Sequence, residues 1–263
     1  MVERARFAPS PTGPLHIGGV RTALFNYLIA KRSGGSFILR IEDTDSKRTV
    51  AGAENHIKDT LKWLGLNIDE GPIKQSERKS LYKKSVEELL KKGLAYYAFD
   101  SSAELESARK ESKGEFKYNY ETRMNMVNSF TVSEEETKSR VERGGYVIRM
   151  VIPEKETIRV ADEIRGSLNF NSNEIEDKVI MKSDGMPTYH FANVVDDHDM
   201  RITSVVRGEE WLSSLPSHVT LYNHFGWSPP KFYHLPLILK STGQGKLSKR
   251  DAEEQGHPVF AVQ

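Results

Sequence analysis

The sequence contains no cysteine, almost no net charge and no long apolar run. Without cysteine, the 263-residue chain can form no disulfide, no thiolate nucleophile and no cysteine-ligated zinc site. No stretch approaches the ~20 apolar residues that a membrane-spanning helix needs, and the N-terminus lacks the apolar core of a signal peptide. The expectation is a cytoplasmic protein with no membrane partner and no bound zinc.

The balance of charges does not exclude a nucleic-acid-binding protein. The 38 Lys+Arg and 37 Asp+Glu leave a net charge of +1, but a local basic patch is enough to bind nucleic acid. The hydrophobic content of 37% is sufficient for a core, which argues against disorder and fibrous repeats. The length predicts one large domain or two medium ones.

The N-terminal part has the pattern of an α/β fold. Residues 1–45 predict a βαβ unit, in which a short strand leads through a turn into a helix and then into a buried strand at 36–41. Two further helices are expected to end at Gly65 and Gly93. The first helix carries apolar residues at the spacing of one face: Val20, Ala23, Leu24, Tyr27 and Leu28. Alternation of strands and helices indicates a parallel sheet.

A polar segment interrupts this pattern. From residue 100 to 145 the chain has few apolar residues, and three β-like runs follow it. The α/β alternation then resumes, so we expect one α/β domain that is split by an inserted α+β module. The predicted boundaries are 1–99 and 178–245 for the two halves of the domain, 100–177 for the module, and 246–263 for a basic loop and the segment after it.

A glycine-rich turn follows the first predicted strand. His16, Gly18 and Gly19 lie between that strand and its helix. Backbone N–H groups at a helix start carry partial positive charge, and glycine lets a polyphosphate approach without meeting a Cβ. The turn therefore predicts a nucleotide site, although glycines of this kind can also serve only to change the direction of the chain.

A short basic run near the C-terminus is the second candidate. Lys246, Ser248 and Lys249 belong to the run Lys-Leu-Ser-Lys-Arg, which follows a glycine-rich stretch. Ammonium groups on a loop can meet the negative charge that develops on the phosphates of ATP as pyrophosphate leaves. Taken alone, a short basic cluster is most often solvated surface.

Together, the two motifs resemble the HIGH and KMSKS signatures of class I aminoacyl-tRNA synthetases. Gly19 stands where the first signature has its last histidine, and Leu247 and Arg250 replace the methionine and the final serine of the second. Four further segments look like those of bacterial glutamyl-tRNA synthetases: 6–13, 40–45, 187–198 and 207–211. The resemblance covers nearly the whole chain.

The resemblance implies a Rossmann-like parallel sheet with helices on both faces, and an inserted module that holds the acceptor end of tRNA. It implies ATP-dependent activation of L-glutamate to glutamyl-adenylate, followed by transfer to the 3′ end of tRNA(Glu). Magnesium would enter with ATP as part of the substrate, and no metal held by the protein is expected. The expected enzyme is a monomeric glutamate–tRNA ligase.

The resemblance also assigns roles to particular residues. Catalysis is assigned to His16, Lys246 and Lys249, and contact with the tRNA acceptor end to Asp45. ATP binding is assigned to His16, Gly18, Gly19, Glu210, Lys246, Ser248 and Lys249. Glutamate binding is assigned to Arg6, Ala8, Ser10, Glu42, Tyr189, Asn193 and Arg207. The two arginines offer guanidinium forks for carboxylates, while Glu42 and Ser10 are expected at the α-amino end.

The sequence leaves alternatives to the ligase interpretation. Full-length glutamyl-tRNA synthetases continue into a helical anticodon-binding domain, which is absent here, so the chain is interpreted as the catalytic part of a longer enzyme. A short glutamyl-queuosine tRNA(Asp) synthetase is the alternative, and the intact basic run and the missing zinc cysteines count against it. A tRNA-binding module without catalysis is a further alternative, against which the retained His16 and lysines argue.

Two other features allow more than one interpretation. The acidic cluster at residues 196–199 looks like a metal site, but a structural or tRNA-facing role is preferred. Phe116, Tyr118 and Tyr120 lie among basic residues of the inserted module. They either stack on unpaired bases of tRNA or pack the core of the module itself.

Overall fold

The computed structural model describes residues 2–114 and 116–240, and it shows a seven-stranded central sheet and a separate three-stranded sheet. The strands are β1 Arg4–Phe7, β2 Ser36–Ile41, β3 Glu70–Lys74, β4 Ala95–Ala98, β5 Val147–Met150, β6 Thr157–Asp162, β7 Gly166–Asn171, β8 Val179–Met181, β9 Ser204–Gly208 and β10 Lys231–Leu235. The α-helices are α1 Ile17–Arg32, α2 Ala53–Trp63, α3 Lys79–Lys91, α4 Ser102–Glu111, α5 Glu134–Arg143, α6 Tyr189–Asp199 and α7 Leu215–Phe225. In this described part, no helix combines the length and the apolar character that crossing a membrane requires.

The central sheet has the strand order β3-β2-β1-β9-β10-β6-β7. Its neighbouring strands are parallel, except for the antiparallel hairpin of β6 and β7. The chain continues from β1 to β2 on one side and returns much later to β9 on the other. In parallel sheets, ligands bind at the carboxyl ends of strands where the order reverses in this way. The topology therefore predicts a ligand site at the carboxyl ends of β1 and β9.

Helices cover both faces of the central sheet, as the sequence predicts. Strand β2 is buried from Phe37 onward, and its successive side chains face opposite sides. Phe37 and Leu39 share a hydrophobic core with α1 and α2, whereas Ile38 packs in the core formed with α3, α6 and α7. This double burial explains why β2 is an almost continuous apolar run.

Helix α1 lies where it is predicted, but only part of the predicted apolar face is buried. Ala23 is buried and Val20 and Tyr27 pack against the core. Leu24 and Leu28 are 41% and 51% exposed. The buried residues of α1 are Ala23, Asn26 and Ala30. Two alanines let the helix approach the strands closely, and Asn26 donates to the backbone oxygen of Val206 on β9 at 3.1 Å. A polar residue thus helps to hold α1 against the sheet, while the two leucines of the predicted face are exposed.

The three-stranded sheet is antiparallel and has the order β4-β5-β8. The predicted domain boundaries stay predictions. The two sheets, however, each contain strands from both sides of the predicted boundaries of the inserted module. Strands β6 and β7, which fall within 100–177, extend the central sheet because β6 pairs with β10. Strands β4 and β8, which fall outside that range, complete the small sheet. The inserted region is therefore joined to the main domain through shared sheets.

The aromatic residues of the inserted region form a small core. Tyr118 is buried together with Tyr96 and Ala98, and Phe116 packs against them. The hydroxyl of Tyr120 instead donates to Glu121 at 2.7 Å on the surface. Of the two interpretations, core packing is therefore the one that applies to Tyr118 and Phe116.

Candidate active site

A cavity of about 500 Å³ lies at the carboxyl ends of β1 and β9, beside the start of α1. It is lined by all the described residues to which the sequence assigns an amino-acid or nucleotide contact: Arg6, Ala8, Ser10, His16, Gly18, Gly19, Glu42, Tyr189, Asn193, Arg207 and Glu210. The fold thus brings residues from both ends of the chain into one cavity. Their individual roles stay predictions.

Four of the assigned residues are not part of this cavity. Asp45 is outside its lining, and the carboxylate of Asp45 pairs with Arg48 at 2.7 Å. Lys246, Ser248 and Lys249 lie outside the described residues. The roles of these four residues rest on the sequence alone.

His16 caps the N-terminus of α1. Its Nδ1 accepts hydrogen bonds from the backbone N–H groups of Gly18 and Gly19, at 3.0 and 3.3 Å. Because Nδ1 accepts, the proton of the neutral ring lies on Nε2, which is then the donor. A Cβ at Gly18 would lie 2.9 Å from Cε1 of His16. Glycine at this position therefore lets the imidazole fold back over the helix start.

A buried network of charges lies behind the cavity. Nε of Arg6 donates to Oδ1 of Asp197 at 2.9 Å, and Nη1 of Arg40 donates to the same oxygen at 2.6 Å. Arg40 is fully buried and also contacts Glu42 at 3.2 Å and Asp196 at 3.9 Å. Although burial disfavours the charge of Asp197, Arg40 and Arg6 lower its pKa below the ordinary value. Asp197 therefore anchors Arg6 in the cavity wall.

The acidic cluster at 196–199 has a structural role through its first two members. Asp196 and Asp197 are buried. Asp196 accepts hydrogen bonds from three side chains at 2.8 Å each: Gln75, Arg78 and Tyr82. These bonds tie α6 to α3 and to the chain that follows β3, which excludes a tRNA-facing role for the buried pair.

Glu42 and Asn193 meet in the cavity wall. Nδ2 of Asn193 donates to Oε1 of Glu42 at 3.2 Å, and Nη2 of Arg40 donates to the same oxygen at 3.2 Å. Burial raises the pKa of Glu42 against the opposing effect of Arg40 and Arg6. A carboxylate fixed in this way is suited to accept hydrogen bonds from an ammonium group.

Arg207, at the end of β9, is only 5% exposed and has neutral partners. Its Nε donates to Nε2 of His234 at 2.9 Å, and its Nη1 lies 3.2 Å from both the Tyr189 hydroxyl and Nδ1 of His218. Its Nη2 is buried and has no hydrogen-bond partner in the described part of the chain. There, Arg207 also forms no ion pair, in contrast to Arg40. Such a guanidinium is suited to bind a carboxylate that comes from outside the protein.

The remaining wall of the cavity is aromatic and acidic. The rings of Tyr189 and Trp211 pack with their centroids 4.4 Å apart. A Cβ at Gly208 would lie 2.0 Å from Oε2 of Glu210, so any other residue at this position would require the carboxylate to move. Glu210 also lines the cavity.

Sequence reasoning gives no role to several residues that shape this site: Arg40, Asp162, His218 and His234. Arg40 offers one usable signal, since it is a charged residue within an otherwise apolar predicted strand. The two histidines and Asp162 lie in unremarkable local sequence. Only the folded chain brings them to Arg207.

The half-buried His190 is expected to make the fold sensitive to acid. Burial, Lys178 and Arg207 lower the pKa of His190 from 6.5 to about 4. Between these values the unfolded chain binds a proton at this residue and the folded chain does not, so the free energy of unfolding falls as the pH drops. His190→Gln cannot titrate, but it can still accept a hydrogen bond from His218.

We therefore expect urea denaturation between pH 6.5 and 4 to show a smaller loss of stability for His190→Gln than for the wild type, by about 3 kcal/mol. His56→Gln is a suitable control, because His56 lies on α2 and has no hydrogen bond to His190 or His218. Parallel pH profiles of the wild type and His190→Gln would contradict the prediction.

In the described ranges, no group of three or more His, Asp or Glu side chains has the arrangement of a metal site. Arginines pair with the buried carboxylates behind the cavity. Magnesium that arrives with a nucleotide stays a prediction.

The parallel sheet and the cavity at its switch point have the architecture of a nucleotide-binding α/β domain. The family model for "tRNA synthetases class I (E and Q), catalytic domain" matches residues 2–257, and the chain belongs to this family. Among curated relatives, it is 58% identical over 267 residues to the glutamate–tRNA ligase of Azobacteroides pseudotrichonymphae genomovar. CFP2. It is 56% identical over 272 residues to the glutamate–tRNA ligase of Christiangramia forsetii. These alignments cover 100% and 99% of this chain and 54% of each relative.

The solved structures agree. The crystal structure of a glutamate tRNA ligase from Elizabethkingia meningosepticum, in complex with its amino acid, matches with a TM-score of 0.95 and 52% identity. The match covers 99% of this chain and 54% of that chain. The chain therefore spans about half the length of its relatives.

Proposed function

We propose that this chain activates L-glutamate with ATP to form glutamyl-adenylate and pyrophosphate, and transfers the glutamyl group to the 3′ end of tRNA(Glu). The observation that carries the proposal is the surroundings of Arg207, a buried cation with neutral partners in a cavity beside a helix N-terminus. The names of the relatives support glutamate as the amino acid.

The amino-acid end of the cavity carries complementary charges. Arg6 and Arg207, with Tyr189 and Asn193, would hold the carboxylates of glutamate, because guanidinium groups bind carboxylates through paired N–H donors. Glu42 would bind the α-ammonium group. Ser10 and Ala8 line the same cavity and would complete the contact with the amino acid.

The nucleotide end is the start of α1. Since Nδ1 of His16 occupies the N–H groups of Gly18 and Gly19, Nε2–H of His16 is the donor expected to reach the phosphates. Glu210 would contact the ribose. Lys246, Ser248 and Lys249 would complete the ATP site, and magnesium would enter with ATP.

The first step is an in-line displacement at phosphorus. An oxygen of the α-carboxylate forms a bond to the α-phosphorus of ATP, the bond to the bridging oxygen breaks, and pyrophosphate leaves. No covalent bond to the protein is required. Its residues act by holding the reactants in line and by stabilising the charge on the phosphates.

The tRNA contacts are assigned to Asp45 and to the inserted region. The side chain of Asp45 is 41% exposed and would contact the acceptor end, which residues 100–177 would hold through phosphate contacts. We propose a monomeric, cytoplasmic enzyme.

The two roles of His16 can be separated by substitution. Asparagine is a strong N-cap, so His16→Asn should keep the stability of α1, while His16→Ala should lose about 1 kcal/mol. Both should lower the rate of adenylate formation about 10- to 100-fold, because alanine has no donor and the amide of a capping asparagine is too short to reach the position of the imidazole Nε2–H. Thermal unfolding and pyrophosphate exchange measure the two effects. Normal exchange in His16→Asn would remove His16 from the catalytic step.

The decisive test is glutamate-dependent ATP–pyrophosphate exchange with and without total tRNA. Exchange that requires tRNA supports the proposal and indicates that the acceptor arm engages this half-length chain. Exchange without tRNA would favour a glutamyl-queuosine type of enzyme, or a loss of the tRNA requirement in a catalytic part on its own. Absence of exchange, with tRNA binding retained, would favour a module that binds tRNA without catalysis.

A further inference from the structure

The surroundings of Arg207 have a regularity that the proposed reaction does not explain. Arginine is only a donor, so the nitrogens that face it must present lone pairs. These are Nε2 of His234, at 2.9 Å from Nε, and Nδ1 of His218, at 3.2 Å from Nη1. Both rings are buried, with 0% and 1% exposure. Protonation of either nitrogen would place a proton against the guanidinium, so the geometry requires both rings to be neutral.

A carboxylate fixes the proton of His234 on the far side of the ring. Nδ1 of His234 lies 2.6 Å from Oδ2 of Asp162 and therefore donates to it. The backbone N–H groups of Ile164 and Arg165 donate to Oδ1 of Asp162, at 3.0 and 2.8 Å. Asp162 is 3% exposed and is the last residue of β6. The order is thus carboxylate, neutral imidazole, guanidinium.

The second ring is fixed in a similar way. Because Nδ1 of His218 faces Arg207, its proton lies on Nε2, at 3.2 Å from Nδ1 of His190. His190 therefore accepts. Both imidazoles orient Arg207 through lone pairs and bring no negative charge into contact with it.

Arg40 provides a contrast within the same molecule. It is fully buried and contacts three carboxylates, Glu42, Asp196 and Asp197. That arrangement compensates the charge of Arg40, as buried ion pairs require. At Arg207, by contrast, the carboxylate of Asp162 is separated from the guanidinium by the ring of His234. Nη2 of Arg207 has no hydrogen-bond partner in the described part of the chain.

We infer that Asp162 and His234, together with His218, are positioning residues that hold Arg207 in place without neutralising it, and so make the cavity select a carboxylate over a carboxamide. The identity of the ligand, an amino acid with an acidic side chain, rests on the proposed function. A carboxylate compensates the charge of Arg207 on binding, whereas a carboxamide of the same shape leaves that buried charge uncompensated.

The test moves the carboxylate by one position and keeps the total charge constant. In the double variant Asp162→Asn/His234→Glu, the negative charge contacts Arg207, and the amide at 162 can donate to it. In His234→Gln, the side-chain carbonyl can accept from Arg207 while its amide donates to Asp162, as the neutral imidazole does. Calorimetry of each protein with glutamate, glutamine and ATP gives three dissociation constants.

We expect the double variant to bind glutamate about 10- to 100-fold more weakly than the wild type and to lose most of its preference for glutamate over glutamine. The reason is that the carboxylate introduced at position 234 already compensates the charge of Arg207. His234→Gln should retain glutamate binding within about threefold of the wild type, since the hydrogen-bond pattern is conserved. ATP binding should be unchanged in both. Equal losses of glutamate binding in the two variants would overturn the inference and indicate a packing role.

A second measurement does not depend on a ligand or on a variant that must fold. ¹⁵N NMR of histidine-labelled wild-type protein at pH 7 should show His234 neutral and protonated on Nδ1, and His218 neutral and protonated on Nε2. A charged ring at either position overturns the inference. A wild-type chain with neutral rings that binds no glutamate overturns the proposed function instead, so the two failures are distinguishable.

Discussion

Arg207→Ala is expected to lower kcat/KM for glutamate by about 10²- to 10³-fold, because truncating one member of a buried charged pair costs about 2–5 kcal/mol. The carboxylate of the substrate would lose its cationic partner at a position where Arg207 is only 5% exposed. The dissociation constant for ATP should change by less than about twofold, since the helix start that carries His16 is built separately from the surroundings of Arg207.

Glutamate-dependent pyrophosphate exchange and calorimetry with ATP measure the two effects. Arg159→Ala is a matched control, because this arginine lies on the exposed side of β6 and outside the cavity lining. Arg207→Lys keeps the charge but loses the donor to His234 and the fork geometry, so it should fall between the wild type and alanine. Unchanged glutamate dependence in Arg207→Ala would contradict the assignment of the amino-acid pocket.

The regular elements of the main domain were largely predictable, because their patterns are local. Helices α2 and α3 end before Gly65 and Gly93, as the stop signals indicate. Which strands pair with each other could not be predicted from local patterns. The sequence of β6 shows an alternating strand, but nothing local tells that it pairs with β10 in the central sheet. The same limit applies to β8, which pairs with β5 in the small sheet.

The candidate site divides in the same way. Arg6, His16 and Arg207 were found because they lie in short motifs with chemical meaning. The residues that orient them act across long separations, as Asp197 does on Arg6, 191 positions away, and Asp162 on His234, 72 positions away. Such pairs leave no local pattern in the sequence. Only the folded structure shows which residues orient the side chains that line the cavity.

Asp197→Ala is expected to reduce the free energy of unfolding by about 3–5 kcal/mol. Asp197 accepts hydrogen bonds from both Arg6 and Arg40, and its removal leaves two buried guanidinium groups with one partner fewer. Asp199→Ala is the control on the same helix, because its side chain is 50% exposed and an exposed ion pair contributes no more than about 1 kcal/mol. Urea denaturation followed by circular dichroism measures both changes.

Asp197→Ala should also affect the cavity at temperatures where the variant is folded. Arg6 would lose the bond that fixes its Nε, so KM for glutamate should rise more than KM for ATP. Equal stability of the Asp197 and Asp199 variants would contradict this account of the network. A stability loss without a change in KM for glutamate would show that the network supports the fold alone, because a residue that positions Arg6 must alter amino-acid binding when it is removed.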